Sequence, residues 1–177
     1  LALELAAGFE PAAREDLAAS LAALQPLRAA WLALYARLAR ELGLWINAGS
    51  FLLATGDGRY RNRSDLFAPE GGHAWQDKLQ LTGFEKSAGI IEAGDDLKVF
   101  EAEGIRAGIA VCYDSEFPLP VRAQYEAGVR LLHNAIDGLT DERDILAKIP
   151  TWPWKSSTLT GFLSAIVLPG VLLLIQI

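Results

Sequence analysis

A short apolar run that leads into a polar turn and then a helix most constrains the fold of this chain. Residues 105–111 have the length and composition of a buried strand. Residues 112–117, called the elbow below, are polar and turn-forming. Pro118 is well placed to open a helix over residues 119–127. The pattern predicts strand, elbow and helix, with the chain's one cysteine, Cys112, where the strand ends.

Two interpretations of Cys112 are open. A free cysteine usually behaves as a small core hydrophobe. An elbow between strand and helix also presents nucleophiles, because its side chains leave the sheet and the first amides of the helix favour negative charge. The local pattern alone favours the core interpretation.

The motif Cys112-Tyr-Asp-Ser-Glu-Phe-Pro118 resembles the nucleophile motif of the nitrilase superfamily, the carbon–nitrogen hydrolases. Upstream, residues 76–85 (QDKLQLTGFE) are similar to the segment that carries the catalytic lysine of that family. The resemblance implies an α/β fold, a nitrilase-like four-layer αββα sandwich with two sheets inside and helices outside, of which this chain holds a part. It implies that Cys112 is the nucleophile and Lys78 the catalytic lysine.

The chemistry of a thiol site explains why a lysine belongs there. A thiol attacks as its thiolate, and a nearby cation lowers the thiol pKa and stabilises the negative tetrahedral intermediate. Without such a site, Lys78 would be a solvated strand-edge lysine. Asp114 and Glu116 are expected to fix the elbow by hydrogen bonds to backbone amides, with Arg122 as an ion-pair partner.

A carboxylate is also required, to carry protons between the thiol, the leaving amine and water. The resemblance implies a base after the first strand, where Glu4 lies in the matching region without the expected preceding proline. Glu4 is either this base or a nearby helix residue, in which case the base lies upstream of Leu1. Glu85 matches a supporting glutamate that orients the lysine or the substrate; the alternative is an exposed loop carboxylate.

Charge and composition limit the classes of molecule that this chain is expected to bind. The formal net charge of −6 argues against a nucleic-acid surface. A single cysteine forms no intramolecular disulfide, which favours a cytoplasmic protein.

No metal-ligand spacing is present among His73, His133 and Cys112, and no phosphate-loop pattern occurs. Neither a metal nor a cofactor is therefore predicted. A protease-like pairing of Cys112 with either histidine is a weaker alternative. The expected partner is a small amide or nitrile, and assembly into a homo-oligomer stays open.

Hydrophobic periodicity predicts the other elements. Residues 15–43 carry apolar side chains at helical spacing, with a division at Pro26 and an end at Gly43. Beyond Gly43 the period shortens, which predicts strands over residues 44–53, 59–68, 73–81 and 97–102.

The chain is expected to divide into a partial carbon–nitrogen hydrolase domain, residues 1–132, and a divergent segment with an apolar tail, residues 133–177. The uncharged tail, residues 156–177, is nearly long enough to cross a bilayer, but Pro169 and Gly170 interrupt it. It therefore predicts a pair of buried strands or helices, or translation outside the family's reading frame, rather than an anchor. The absence of methionine predicts that the natural start lies upstream.

Three functions remain open at this point. The first is hydrolysis of a carbon–nitrogen bond in a small non-peptide amide or nitrile through a Cys112 acyl-enzyme. The second is an inactive fragment or interaction module that retains the middle of the fold. The third is a membrane-tethered protein anchored by its tail. A Pro-Glu strand upstream of Leu1 would distinguish the first function from the second.

Overall fold

The computed structural model describes residues 16–135 and the backbone of two later strands, residues 164–168 and 171–175. The helices are α1 (Leu17–Leu24), α2 (Arg28–Leu42), α3 (Gly83–Ala88) and α4 (Pro118–Glu126), with 3-10 turns at Gln25–Leu27 and Cys112–Glu116. The strands are β1 (Ile46–Gly56), β2 (Arg59–Phe67), β3 (His73–Asp77), β4 (Ile91–Glu92), β5 (Val99–Ala102), β6 (Ile105–Val111), β7 (Leu131–Ala135), β8 (Ser164–Leu168) and β9 (Val171–Ile175).

The first two helices begin and end where their sequence predicts. The carboxylate of Asp16 accepts a hydrogen bond from the amide of Ala19 and so caps the start of α1. Pro26 lies in the 3-10 turn between α1 and α2, which divides the helical segment as predicted. Gly43 ends α2 at a φ of 65°, a left-handed conformation that glycine adopts readily.

The first sheet consists of antiparallel β1, β2 and β3, with β4 parallel to β2. One face of this sheet is covered by α1 and α2. The buried apolar residues on this side are Leu21, Leu24, Ala39, Ile46, Ala48, Phe51, Tyr60, Phe67 and Ile91. The guanidinium of Arg28 on α2 also donates to both carboxylate oxygens of the fully buried Asp65 on β2, at 2.6 and 2.8 Å. A bidentate pair of this kind fixes helix against sheet.

Within the described residues, one helical segment, Leu17–Leu42, has the length and apolar composition needed to cross a membrane. In this structure the segment is broken by the 3-10 turn and contributes Leu21, Leu24 and Ala39 to the core under the first sheet. Its opposite side is exposed. This is the arrangement of an amphipathic helix packed on a sheet.

The second sheet contains β5, β6 and β7; β5 pairs antiparallel and β7 parallel with the central β6. Buried residues from both sheets meet between them: Leu66 from the first, and Phe100, Ile109, Val111 and Ala135 from the second. On the outer side, Gln124 of α4 lies so close to the backbone of β6 that a Cβ at Gly108 would come within 2.7 Å of its amide nitrogen. Helix, sheet, sheet and helix form four layers, which confirms the predicted mixed α/β fold.

The strand predicted over residues 73–81 ends earlier, at Asp77. The reason lies in the next amides, because Leu79 and Gln80 donate to the carboxylate of Asp114 rather than to a neighbouring strand. Lys78 therefore follows β3 instead of lying within it. The strand over residues 105–111 has the predicted bounds.

In the tail, β8 and β9 form an antiparallel pair, with Leu168 opposite Val171. Residues 169–170, where the sequence predicts a division, lie between these two strands and outside the described residues. The strand pair is one of the alternatives open for this segment. Glu4 lies outside the described residues.

Candidate active site

Cys112 occupies the first position of the elbow, immediately after β6. Its backbone has a φ of 73°, a left-handed conformation that non-glycine residues rarely adopt because the Cβ is crowded there. The residue is half-buried and packs at the border of the cluster between the two sheets. The elbow therefore places the thiol at the edge of the inter-sheet core in an unusual backbone conformation.

Asp114 joins the elbow to the segment that follows Lys78. Its carboxylate accepts hydrogen bonds from the amides of Val111 at 3.1 Å, Leu79 at 3.0 Å and Gln80 at 2.6 Å. The residue is 2% exposed. Burial raises the pKa of Asp114 above its ordinary value, although the amide hydrogen bonds and the charge of Lys78 act in the opposite direction. A single side chain thus holds the ends of β3 and β6 together.

The predicted role of Asp114 in bonding to backbone amides agrees with this geometry, whereas the ion pair predicted for Arg122 is wrong. The guanidinium of Arg122 instead contacts Glu126 at 2.7 Å, one turn along α4. The spacing of four residues explains the difference, because such side chains are neighbours on a helix surface.

Lys78 is buried, and its ammonium group is bound by a carboxylate. The side chain is 1% exposed, and its Nζ lies 2.9 and 2.8 Å from the two carboxylate oxygens of Glu85. The alternative of a solvated strand-edge lysine is therefore wrong. Burial of a lysine is costly unless its charge is paired, and Glu85 supplies the pairing charge.

Glu85 is itself oriented by the start of α3. Its Oε2 accepts from the amide and the hydroxyl of Thr82, at 2.7 and 2.9 Å, while its own amide donates to the Thr82 hydroxyl. This is a capping box. Burial alone would raise the pKa of Glu85, but the hydrogen bonds from Lys78 and Thr82 hold it below its ordinary value. Glu85 is thus an ionised partner in a fixed position.

The backbone of Lys78 is held on both sides. Its amide donates to the carbonyl of Asn62 at 2.8 Å, and its carbonyl accepts from the amide of Gly94 at 2.7 Å. A Cβ at Gly94 would lie 2.7 Å from the Cβ of Asp77, so the close approach requires glycine. The lysine is therefore restrained at its backbone as well as at its ammonium group.

The two histidines have different surroundings. His73 Nε2 lies 3.0 Å from Asp65 Oδ1, and the imidazole stacks on Phe67. His133 is buried on β7 opposite Ile109, and burial lowers its pKa to about 4. His133 is therefore neutral at pH 7, and His73 is engaged with the Arg28–Asp65 pair on the other sheet.

Acid is expected to destabilise the protein through His133. The histidine of the unfolded chain has a pKa near 6.5, so it gains a proton before the buried folded form does. The contribution of His133 to the free energy of unfolding is fully present above about pH 6.5. It falls by roughly 3 kcal/mol as the pH approaches 4. Urea unfolding at a series of pH values measures the loss, and His133→Gln should reduce it. Equal losses in both proteins would contradict the prediction.

The sequence model of the carbon-nitrogen hydrolase family matches residues 8–159. The chain belongs to this family. The match continues beyond residue 132, and the domain boundary predicted there stays a prediction. The chain is 30% identical over 102 residues to the probable hydrolase YhcX of Bacillus subtilis, which covers 58% of this chain and 20% of that protein. It thus spans about a fifth of this curated relative.

Solved structures agree with the family assignment. An amidase from Nesterenkonia sp. is 28% identical, with a TM-score of 0.57 over 67% of this chain and 45% of that chain. A mutant of the amidase from Nesterenkonia sp. AN1, which carries an acetamide moiety on its active-site cysteine, is 26% identical with a TM-score of 0.56, again over 67% and 45%. The nitrilase-like fold of this carbon–nitrogen hydrolase family member is therefore shown over part of its length.

Two side chains that bind the backbone of Cys112 in this family member were not predicted from the sequence. Asn134 Oδ1 accepts from the amide of Cys112 at 3.0 Å, and Ser115 Oγ donates to the Cys112 carbonyl at 2.9 Å. A polar residue in an alternating strand gives no signal of such a contact. The capping box of Thr82 and Glu85 did have a signal, the Thr-x-x-Glu spacing. In the described residues, no three His, Cys, Asp or Glu side chains are grouped to hold a metal ion.

Proposed function

We propose that this chain forms the thiol-bearing part of an enzyme that hydrolyses the carbon–nitrogen bond of a small non-peptide amide or nitrile. The observation that carries the proposal is the contact made by Asp114. This carboxylate accepts a hydrogen bond from the amide of Leu79, which follows Lys78 in the chain. It also accepts one from the amide of Val111, which precedes Cys112. Asp114 thereby joins the chain next to Lys78 to the end of β6 next to Cys112, which supports a site that contains both a cation and a thiol.

The chemistry for an amide follows from these groups. The thiolate of Cys112 attacks the carbonyl carbon, and the ammonium group of Lys78 stabilises the negative charge that develops on the oxygen. The carbon–nitrogen bond then breaks, and the amine leaves with a proton from a carboxylic acid. Water, deprotonated by the same carboxylate, attacks the thioester and releases the carboxylic acid product and the thiol. Glu85 is proposed to keep Lys78 charged and oriented.

The proton-transferring carboxylate is proposed to be Glu4 or a residue upstream of it. Glu85 is a poor candidate, because its two oxygens are already bound to Lys78 and Thr82. The adduct on the active-site cysteine of the similar amidase supports a thiol of this kind in the family. A cytoplasmic location, where the thiol stays reduced, is part of the proposal.

Covalent labelling and turnover together test the proposal. The chain, with its single cysteine, is incubated with fluoroacetamide, and the intact mass is measured. Fluoride is a poor leaving group, so an acetamide adduct on Cys112 reports an activated thiol. Ammonia release from butyramide measures turnover. We expect an adduct and ammonia from the unaltered chain, and neither from Cys112→Ala.

Ammonia release that persists in Cys112→Ala would refute the acyl-enzyme. An adduct without ammonia release would instead favour the inactive-fragment alternative, since the thiol would be activated but the proton-transferring carboxylate ineffective.

A further inference from the structure

The conformation of Cys112 needs support that the sheet does not supply. The pairing of β6 with β7 ends at Val111 opposite Ala135, one residue before the cysteine. The φ of 73° at Cys112 is disfavoured for a residue with a Cβ. Conformations of this kind persist when the surrounding structure over-determines them. Side chains that bind the two peptide groups of Cys112 can supply this support.

Asn134 and Ser115 close a ring of hydrogen bonds around the backbone of Cys112. The Cys112 amide donates to Asn134 Oδ1 at 3.0 Å, Asn134 Nδ2 donates to Ser115 Oγ at 3.1 Å, and Ser115 Oγ donates to the Cys112 carbonyl at 2.9 Å. The orientation of the Asn134 amide is fixed by the first bond, because only an oxygen accepts from a backbone N–H. Both peptide groups of the cysteine are thus held by the same pair.

The position of Asn134 indicates that its side chain binds the elbow and does not pack in the core. Its neighbours on β7, His133 and Ala135, are buried between the layers, whereas Asn134 is only half-buried and faces the other way. The hydrogen bonds of its side chain go to Cys112 and Ser115. Neither Asn134 nor Ser115 belongs to the apolar cluster between the sheets.

We propose that Asn134 and Ser115 are positioning residues that hold the left-handed backbone of Cys112 and so direct its thiol. This inference rests on the proposed function, because direction matters only if the thiol reacts. Loss of the ring would let the elbow relax toward ordinary backbone angles and carry the thiol away from the cation. The effect is on orientation, so it is expected in the rate of the chemical step rather than in substrate affinity.

The test compares Asn134→Ala and Ser115→Ala with a matched control, Asn47→Ala. Asn47 also accepts a backbone amide bond through its Oδ1, from Gly49, but this oxygen binds Gly49 and Ser64 of the first sheet rather than the elbow. Each chain is labelled at Cys112 with iodoacetamide between pH 5 and pH 10, and thermal unfolding is recorded. Each is combined with Lys78→Met to ask whether the lysine still accelerates the thiol.

We expect Asn134→Ala to slow labelling at pH 7 about tenfold, to move the labelling profile to higher pH, and to remove most of the effect of Lys78→Met. Ser115→Ala should give a smaller change in the same direction. In butyramide hydrolysis, kcat should fall with little change in KM. Asn47→Ala should lower the unfolding temperature without altering the labelling profile.

An Asn134→Ala chain that labels as the unaltered chain does, with the Lys78 effect intact, would overturn the proposal. If Asn134→Ala does not fold, the test depends on Ser115→Ala, because Ser115 is exposed and its substitution is tolerated more easily. An unchanged labelling profile in Ser115→Ala would then overturn the proposal. Absence of any Lys78 effect in the unaltered chain would refute the proposed function instead. In that case a changed profile in Asn134→Ala would still support positioning of the thiol.

Discussion

Replacement of Lys78 by methionine is expected to lower the rate of amide hydrolysis by at least about a thousandfold. Methionine has a similar length and no charge, so the cation that stabilises both the thiolate and the oxyanion is lost while the buried volume is largely kept. Iodoacetamide labelling of Cys112 near pH 7 should also slow about tenfold or more. Initial rates of ammonia release and of labelling measure the two effects.

The buried partner complicates a single substitution, because Glu85 would be left without its cation. The double variant Lys78→Met with Glu85→Gln removes that problem and should recover stability without recovering hydrolysis. Lys98→Met is the matched control, since Lys98 stacks on the half-exposed Trp75 away from the elbow. Recovery of hydrolysis in the double variant would show that Lys78 has only a structural role.

Local sequence signals predicted the elbow well. The strand over residues 105–111 has its predicted bounds because the apolar run is delimited by Gly104 on one side and by the polar elbow on the other. Pro118 opens α4 as expected, since its fixed φ suits the first turn of a helix. These features depend on residues that are adjacent in the chain, which is the range in which patterns are informative.

Contacts between distant residues could not be read from the sequence. Asp114 accepts amide bonds from residues 34 and 35 positions earlier, and this contact ends β3 sooner than its apolar pattern suggests. Asn134 reaches Cys112 across 22 positions through a side chain that looks like an ordinary polar strand residue. Only the resemblance, not the spacing of Lys78 and Glu85, suggested that these two belong together.

Replacement of Asp114 by alanine is expected to destabilise the fold by about 4 kcal/mol and to abolish hydrolysis. The substitution leaves the buried amide of Val111 and the half-buried amides of Leu79 and Gln80 without their acceptor, and loss of a buried bond of this kind costs about 1–3 kcal/mol. Asp114→Asn should be nearly as damaging, because both carboxylate oxygens accept amide bonds and an NH2 group would oppose one of the donors. Urea unfolding measures the stability.

Glu126→Gln is the matched control for Asp114, since it removes a carboxylate charge from an exposed i,i+4 pair with Arg122 on α4. It should change the free energy of unfolding by less than about 0.5 kcal/mol. If the ends of β3 and β6 are held together chiefly by Asp114, then Asp114→Asn, examined at a temperature where it remains folded, should label slowly at Cys112 and respond little to Lys78→Met. A stable Asp114→Asn chain with an unaltered Lys78 effect would mean that packing between the two sheets alone suffices to align the thiol and the cation.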